Sequence, residues 1–214
     1  MNLWFSSHFL VVGLVLRISA LTPEECQPLV TPLSLADAHM LYGRTNFIMG
    51  YTSTEQYDNI LKATDSYWMK ITPSLSSTNE VLMYQYNKMN GTCFSLTVNV
   101  TFDGDVATTS LKNITTTFHV LPSCEGCLVL SGNSTARNLK KFFQSLNIDS
   151  SFNEEEVTTR VLYLMGKEST LKDSDLEHFK RQASCLGFPR EPDFHHDPKK
   201  DFCSEDESLQ ISLQ

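Results

Sequence analysis

The chain has 214 residues, of which 41% are hydrophobic, and its 17 Lys and Arg residues against 25 Asp and Glu residues give a formal net charge of −8. A chain of this length suits one domain with a core of its own. The acidic balance argues against nucleic-acid binding, because phosphate contacts need clustered Lys and Arg.

Residues 1–20 have the features of a secretory signal peptide. The apolar run Leu10–Leu16 is too short to span a bilayer, and Ile18-Ser19-Ala20 offers a cleavage site that ends in small residues. An uncleaved membrane anchor is the alternative. Cleavage would also remove Arg17 and take the formal charge from −8 to −9. We expect the remaining chain to be secreted and extracellular.

Cysteines and glycosylation motifs point to the same compartment. An even number of cysteines behind a signal peptide implies disulfide bonds, and six cysteines allow fifteen pairings. The cysteines are Cys26, Cys93, Cys124, Cys127, Cys185 and Cys203. Asn-x-Ser/Thr motifs predict N-glycosylation at solvent-facing positions. They begin at Asn90, Asn99, Asn113 and Asn133.

Eight short runs of β-type composition follow a Pro-rich lead. In the clearest, Thr92–Phe102, apolar and polar residues alternate from Phe94 onward, and Asp103-Gly104 behind it is a hairpin signal. The other runs are Phe47–Thr52, Ser66–Thr72, Glu80–Lys88, Val106–Leu111, Thr115–Leu121, Cys127–Ser131 and Thr158–Met165. Short strands at even spacing predict an all-β domain, either an antiparallel barrel or a sandwich.

One helix is predicted near the C-terminus, over Ser174–Ser184. Asp173 or Ser174 can cap it, and Glu177 fits a capping box from Ser174. Gly187 and Pro189 end it. The face that would pack on the sheet consists of Leu176, Phe179 and Ala183.

Two other segments have weaker patterns. The apolar residues of Leu139–Leu146 fit either a strand or a helical turn, and both readings stay open. Residues 204–214 are acidic and polar, which predicts a disordered tail. The folded domain is therefore expected to comprise residues 21–203.

A set of residues spread along the chain carries a resemblance to a known family. They are Cys26 before the first strand, Gly43 at its start, Cys93 at the fourth strand, Ser123–Cys127, Cys185-Leu186-Gly187-Phe188-Pro189, His196-Asp197 and Asp201-Phe202-Cys203. Together with the signal peptide, strands and helix, they make the chain resemble the lipocalins. Within that family it is most similar to the group of alpha-1-acid glycoproteins, apolipoproteins M and the saxitoxin- and tetrodotoxin-binding proteins of fish.

The resemblance implies an eight-stranded antiparallel up-and-down β-barrel with one C-terminal α-helix packed on its wall. It also implies the disulfides Cys26–Cys185 and Cys93–Cys203, which leaves Cys124–Cys127 as a hairpin clip. A redox motif is the other interpretation of that closely spaced pair, but no thioredoxin-type βαβ context accompanies it. Thr45 stands where the family's Gly-x-Trp motif has tryptophan, so the closed end of the barrel is expected to pack differently.

The resemblance further implies a cup that holds one small ligand, as the interior of eight strands allows. The predicted ligand contacts are Phe47, Met49, Tyr51, Trp68, Met83, Gln85, Phe94, Phe118, Arg160 and Tyr163. On the last strand either Tyr163 and Met165 or Arg160 and Leu164 face inward, since a shift of one residue exchanges the faces. An inward Arg160 would favour an anionic ligand. An outward Arg160 would leave few fixed charges inside.

We expect no catalytic residue, cofactor or metal ion. If all six cysteines pair, thiolate catalysis has no nucleophile. The most conspicuous polar cluster, His195-His196-Asp197, is a poor metal site, because adjacent side chains on an extended segment point to opposite sides.

The sequence thus predicts a monomeric, secreted glycoprotein that carries a small hydrophobic or amphipathic molecule, such as a lipid, a drug-like compound or a toxin. The alternative is a disulfide-stapled scaffold with a filled barrel, whose loops bind proteins or lipoprotein surfaces. A retained signal segment that anchors the protein in lipid is a variant of the alternative. The volume of the barrel cavity distinguishes the two.

Overall fold

The computed structural model describes residues 21–111, 113–138, 140, 144 and 155–211. The predicted signal peptide, residues 1–20, lies outside the described residues, and so does most of the ambiguous segment Leu139–Leu146. Within the described residues, eight long antiparallel strands are present. They are β1 Gly43–Thr52, β2 Thr64–Pro73, β3 Glu80–Met89, β4 Thr92–Asp103, β5 Val106–Leu111, β6 Ile114–Leu121, β7 Cys127–Arg137 and β8 Glu156–Gly166.

These strands close into a barrel. Each strand pairs with its neighbour in the chain, β1 pairs with β8, and β7 joins β6 and β8. The predicted eight-stranded antiparallel barrel is therefore confirmed. The Asp103-Gly104 hairpin also forms, because Asp103 pairs with Val106 and Gly104 takes a positive φ of 65° that glycine tolerates.

The two ends of the barrel differ. A 3-10 turn, Ala38–Leu41, precedes β1 at one end, where Leu35 and Leu41 of the lead join the main core cluster. At the other end β1 leads into helix α2, Glu55–Ala63. We call the first the closed end and the second the mouth. The turns between β3 and β4 and between β5 and β6 lie at the mouth, as the antiparallel order requires.

Thr45 lies at the closed end, where the family motif has tryptophan. It is buried opposite Met69 of β2, and its hydroxyl has no hydrogen-bond partner among the described residues. Leu41 packs in the same cluster as Met69. The closed end is therefore sealed by aliphatic side chains from the lead and the wall.

The N-terminal lead is fixed to the C-terminal helix on the outside of the barrel. Helix α1, Pro23–Val30, begins with a capping box between Thr22 and Glu25. The Cys26–Cys185 disulfide joins α1 to helix α3, Asp173–Cys185. The Gln182 side-chain amide of α3 donates to two backbone oxygens, those of Leu29 and Pro122, at 2.8 Å each.

Helix α3 matches the predicted Ser174–Ser184 within one residue at each end, and its predicted packing face is confirmed. Phe179 and Ala183 are fully buried against the outer face of β1 and β8. The predicted capping box is wrong: the helix begins one residue earlier, with Lys172 at the N-cap and no side-chain cap bond. Gly187 ends the helix with a φ of 82°.

The chain after α3 crosses the outside of the barrel. Strand β9, Phe194–His195, adds to β1, and the Cys93–Cys203 disulfide ties the segment to β4. Both long-range disulfides implied by the resemblance are therefore confirmed. A third bond, Cys124–Cys127, closes the turn before β7, where the Cys127 amide donates to the Cys124 carbonyl at 3.0 Å.

Part of the tail differs from the predicted disorder. Over residues 204–211 the chain stays against the barrel, and strand β10, Leu209–Gln210, pairs in parallel with Phe94 and Ser95 of β4. β5 pairs with only the last four residues of β4, Val100 to Asp103, so the earlier part of that edge of β4 is left available for another strand. The Cys93–Cys203 bond places the tail beside that edge.

Candidate ligand-binding site

The barrel encloses a cavity of about 240 Å³. Thirteen of the lining residues are apolar: Leu41, Phe47, Ile60, Leu61, Met69, Ile71, Met83, Met89, Phe118, Leu128, Leu130, Val161 and Met165. Seven carry polar groups: Thr64, Tyr67, Gln85, Asn87, Thr109, Thr116 and Tyr163. An apolar wall with a few polar groups is typical of small-molecule sites.

Half of the predicted contacts line this cavity. The five residues are Phe47, Met83, Gln85, Phe118 and Tyr163. The Phe47 ring packs edge-on against Tyr163 with 5.0 Å between ring centroids, and against Tyr67 with 5.9 Å. Three aromatic rings from β1, β2 and β8 thus form one wall of the cavity.

Met49 and Tyr51 do not face the cavity, and a β-bulge in β1 is the reason. Phe47 pairs with Met165, but Met49 pairs with Leu164, so the register shifts by one residue at Ile48. An extra residue in a strand shifts the alternation by one position, so the side chains beyond it point to the side of the sheet opposite to that predicted by strict alternation. Met49 and Tyr51 therefore point outward and pack beneath α3. The prediction that they contact ligand is wrong.

Trp68 also lies on the outer face of the barrel, so its predicted ligand contact is wrong. Its indole stacks on Tyr86 at 4.0 Å, and the Arg44 guanidinium lies 4.1 Å from the ring centroid. The indole N–H donates to the Cys203 carbonyl at 2.8 Å. Alternation predicts this orientation, because Trp68 shares its face with Lys70, whereas Tyr67 and Met69 line the cavity.

Arg160 faces outward, and this settles the parity of the last strand. Its guanidinium donates to the Leu186 carbonyl at 2.9 Å and lies 5.0 Å from the ring centroid of Phe188. Tyr163 and Met165 line the cavity instead. The first of the two parities left open is therefore correct, and the predicted contact between Arg160 and ligand is wrong.

Phe94 points inward without lining the cavity. It pairs with Asn87, which does line the cavity, and it packs with Met89 and Leu96 near the mouth. The parity predicted for β4 is thus correct. Phe94 belongs to the packing that surrounds the site.

Helix α2 covers part of the mouth and was not predicted. Ile60 and Leu61 line the cavity from above, and Tyr57 of the same helix donates to or accepts from the Ser134 hydroxyl of β7 at 2.9 Å. Tyr57, Ile60 and Leu61 have the i, i+3, i+4 spacing of an apolar helix face. That spacing is the signal by which the sequence could have revealed the helix.

The start of the α2 loop is fixed from outside the barrel. The Thr52 amide donates to the Asp193 carboxylate at 2.7 Å, and Arg190 bonds to both Asp193 and the Thr52 carbonyl. The Ser53 amide donates to the Arg160 carbonyl at 3.0 Å. The segment after α3 therefore holds the loop that leads from β1 to α2.

Burial controls the protonation of the cavity tyrosines. Desolvation raises the pKa of both Tyr67 and Tyr163 well above the ordinary value of 10.0. Both hydroxyls stay protonated and uncharged at physiological pH. The Tyr67 hydroxyl donates to the Gln85 side-chain oxygen at 3.4 Å.

The side chains of His195 and His196 have different environments. His195 is exposed, while His196 is buried and its ring stacks on Phe202 with 4.6 Å between centroids. Burial lowers the pKa of His196, so its ring is neutral at physiological pH.

Among the described residues the one group with metal-ligand spacing is Cys93, Cys203 and Glu207, and there the two sulfurs form a disulfide.

No protein-family model matches the chain, and no curated protein matches it either. Solved structures do. Siderocalin Q83 is 12% identical, with a TM-score of 0.57 over 81% of this chain and 98% of that chain. A dog lipocalin allergen is 16% identical, with a TM-score of 0.49 over 69% and 87%. Bovine odorant-binding protein, as a triple mutant, is 15% identical, with a TM-score of 0.46 over 75% and 90%. The barrel topology and the match to siderocalin Q83 show that this chain has the lipocalin fold.

Proposed function

We propose that this protein is a secreted carrier that binds one small hydrophobic or amphipathic molecule inside its barrel. The observation that carries the proposal is the cavity of about 240 Å³, with its mainly apolar wall and few polar groups. Binding would remove apolar ligand surface from water, which is favourable by about 25 cal/mol per Å².

The cavity also favours transport over the scaffold alternative, which expects a filled barrel. The fold supports the same choice, because siderocalin Q83, which shares it, has a dual ligand-binding mode. An enzymatic function has no thiolate to use, since none of the six cysteines is free. We therefore propose a carrier without catalytic activity.

We also propose that the protein is secreted, that it is glycosylated, and that it is related to one group of lipocalins. Three disulfides suit an oxidising compartment. The four candidate glycosylation sites, Asn90, Asn99, Asn113 and Asn133, are all exposed. The two long-range disulfides support kinship with the group of alpha-1-acid glycoproteins, apolipoproteins M and fish toxin-binding proteins. Among the described residues no helix is long and apolar enough to cross a membrane.

The test is a binding titration with phenylnaphthylamine, a small lipophile whose fluorescence rises in apolar surroundings. We expect saturable binding to the secreted protein. Leu130→Trp, which puts a large side chain into the cavity, should abolish it, whereas Thr97→Trp on the exposed face of β4 should not. Equal binding by both variants would place the dye outside the barrel and refute the proposal. Native mass spectrometry of protein from its own secretion then identifies the carried molecule.

A further inference from the structure

The lining of the cavity contains no charged side chain. None of the twenty described lining residues is Asp, Glu, Lys, Arg or His. The buried tyrosines do not add charge, because their hydroxyls keep their protons at physiological pH. A ligand charge inside the cavity would lose its water and gain no counter-ion, which is strongly unfavourable.

Some polar groups around the cavity already bond to one another. Ser134 lies 2.9 Å from the Tyr57 hydroxyl and 3.0 Å from the Thr116 hydroxyl, so these three groups form one chain of hydrogen bonds. Tyr67 donates to Gln85. The oxygens of these groups therefore already have hydrogen-bond partners within the protein.

Two cavity groups stand apart. The Asn87 side-chain nitrogen and the Thr109 hydroxyl are buried, and neither has a hydrogen-bond partner among the described residues. A buried polar group without a partner costs free energy, so such groups are uncommon unless a ligand or water completes them. The amide nitrogen can only donate, and the hydroxyl can donate. Both therefore suit an acceptor atom on a ligand.

We propose that the cavity selects compact, uncharged ligands that carry hydrogen-bond acceptor oxygens, as esters, ketones and ethers do, and that Asn87 and Thr109 are separate donors to such oxygens. This inference rests on the proposed carrier function and narrows it. The cavity volume favours compact ligands, because about 240 Å³ lies below the roughly 300–1,000 Å³ of sites for drug-sized molecules. Charged amphiphiles of the same length bind more weakly.

The first test compares four probes of eight carbon atoms each by displacement of phenylnaphthylamine: methyl heptanoate, octane, octanoate and octylammonium. The ester should bind about tenfold or more tightly than either ion, since each ion must lose its hydration. The ratio of ester affinity to octane affinity is the reference for the second test, because only the ester can accept a hydrogen bond. Octanoate or octylammonium binding as tightly as the ester would overturn the inference and leave the carrier function standing. If no probe displaces the dye and the protein binds no dye, the carrier function itself fails.

The second test removes the two donors. In the variant Asn87→Leu with Thr109→Val, affinity for octane should hold or rise, while the ratio of ester affinity to octane affinity should fall about fivefold. Octane binding thus reports that the barrel still folds. Thr109→Val alone, which keeps the side-chain shape, should lower the ratio by a smaller factor. The matched control Thr97→Val removes a threonine hydroxyl from the exposed face of β4 and should leave the ratio unchanged. An unchanged ratio in the double variant would overturn the inference.

Discussion

The Phe47 ring lies over Gly50, and both residues face the cavity side of β1 although three positions separate them. The bulge at Ile48 makes this possible, because it reverses the alternation between the two residues. A β-carbon built on Gly50 would collide with the tip of the Phe47 ring and would lie 3.1 Å from Tyr163. Glycine at this position therefore allows the aromatic wall of the cavity to form.

Gly50→Ala should destabilise the barrel, because the added methyl group displaces the Phe47 ring from a packed site. We expect a loss of about 1–3 kcal/mol in the free energy of unfolding, measured by urea denaturation. Phenylnaphthylamine affinity should fall with it, because the displaced ring moves within the cavity wall.

The control for this prediction is a second substitution that shortens the ring. Phe47→Leu removes the atoms nearest Gly50, so the pair Gly50→Ala with Phe47→Leu should be more stable than the sum of the single effects predicts. Strict additivity of the two changes would show that Phe47 is not the source of the clash.

The same bulge explains where sequence reasoning about the site failed. Strict alternation along β1 puts Phe47, Met49 and Tyr51 on one face. A bulge is an extra residue relative to the partner strand, and the sequence of β1 alone does not reveal it. Gly50 within the strand was the available sign, because an isolated strand glycine often marks a bulge or a close approach. The register shift itself depends on pairing with β8, a contact across more than a hundred residues.

On regular strands, alternation alone was sufficient to predict which residues point inward. β3 and β4 keep one register along their length, and Met83, Gln85 and Phe94 point inward as predicted. Trp68 shares its face of β2 with Lys70, so alternation along that strand also favours the outward position that the structure shows. Alternation from Met83 and Gln85 also puts Asn87 on the inward face of β3, whereas Thr109 lies on β5, a strand for which the sequence indicated no inward residue.

Tyr57→Phe should loosen the cover over the mouth. Its hydroxyl joins α2 to Ser134 of β7, and the phenylalanine ring keeps the packing while losing the bond. The free energy of unfolding should fall by about 0.5–1.5 kcal/mol. We expect the dissociation rate of bound phenylnaphthylamine, measured by stopped-flow fluorescence, to rise.

Thr97→Val provides a comparison, because it removes a hydroxyl from an exposed position of β4 and lies outside the four glycosylation motifs. It should leave the dissociation rate unchanged. If Tyr57→Phe and Thr97→Val give the same rate as the unmodified protein, α2 does not limit ligand release.

Alkaline pH should destabilise the protein through its buried tyrosines. Desolvation raises the pKa of Tyr67 and Tyr163 above 10.0, the value expected in the unfolded chain. Above pH 10 the unfolded chain therefore releases protons that the folded barrel retains. The stabilisation is fully present below pH 10 and is lost as pH rises toward the folded pKa values. Each tyrosine contributes a slope of up to about 1.4 kcal/mol per pH unit.

Urea denaturation at a series of pH values from neutral to alkaline measures this slope. Tyr67→Phe and Tyr163→Phe should each flatten the decline above pH 10, since phenylalanine has no proton to release. Tyr84→Phe, on the outer face of β3, serves as the matched control for the loss of a tyrosine hydroxyl outside the cavity. A decline unaffected by the two cavity substitutions would assign the alkaline loss to other groups.

The Cys93–Cys203 disulfide should control the environment of Trp68. The Cys203 carbonyl accepts the indole hydrogen bond, and the chain on both sides of it covers the ring, which is 2% exposed. Cys93→Ser combined with Cys203→Ser should reduce the free energy of unfolding by about 2–5 kcal/mol. It should also shift the tryptophan emission to longer wavelength under native conditions, because water reaches the indole once the tail is released.

The second long-range disulfide separates this local effect from a general loss of stability. Cys26→Ser with Cys185→Ser opens the bond between α1 and α3, which is remote from Trp68, and should destabilise the protein without moving its emission. Tryptophan emission of the secreted protein reports on Trp68, because the chain has two tryptophans and the other, Trp4, lies within the proposed signal peptide. An identical emission shift in both double variants would mean that Trp68 responds to loosening of the whole barrel, and that the tail does not by itself shield the ring.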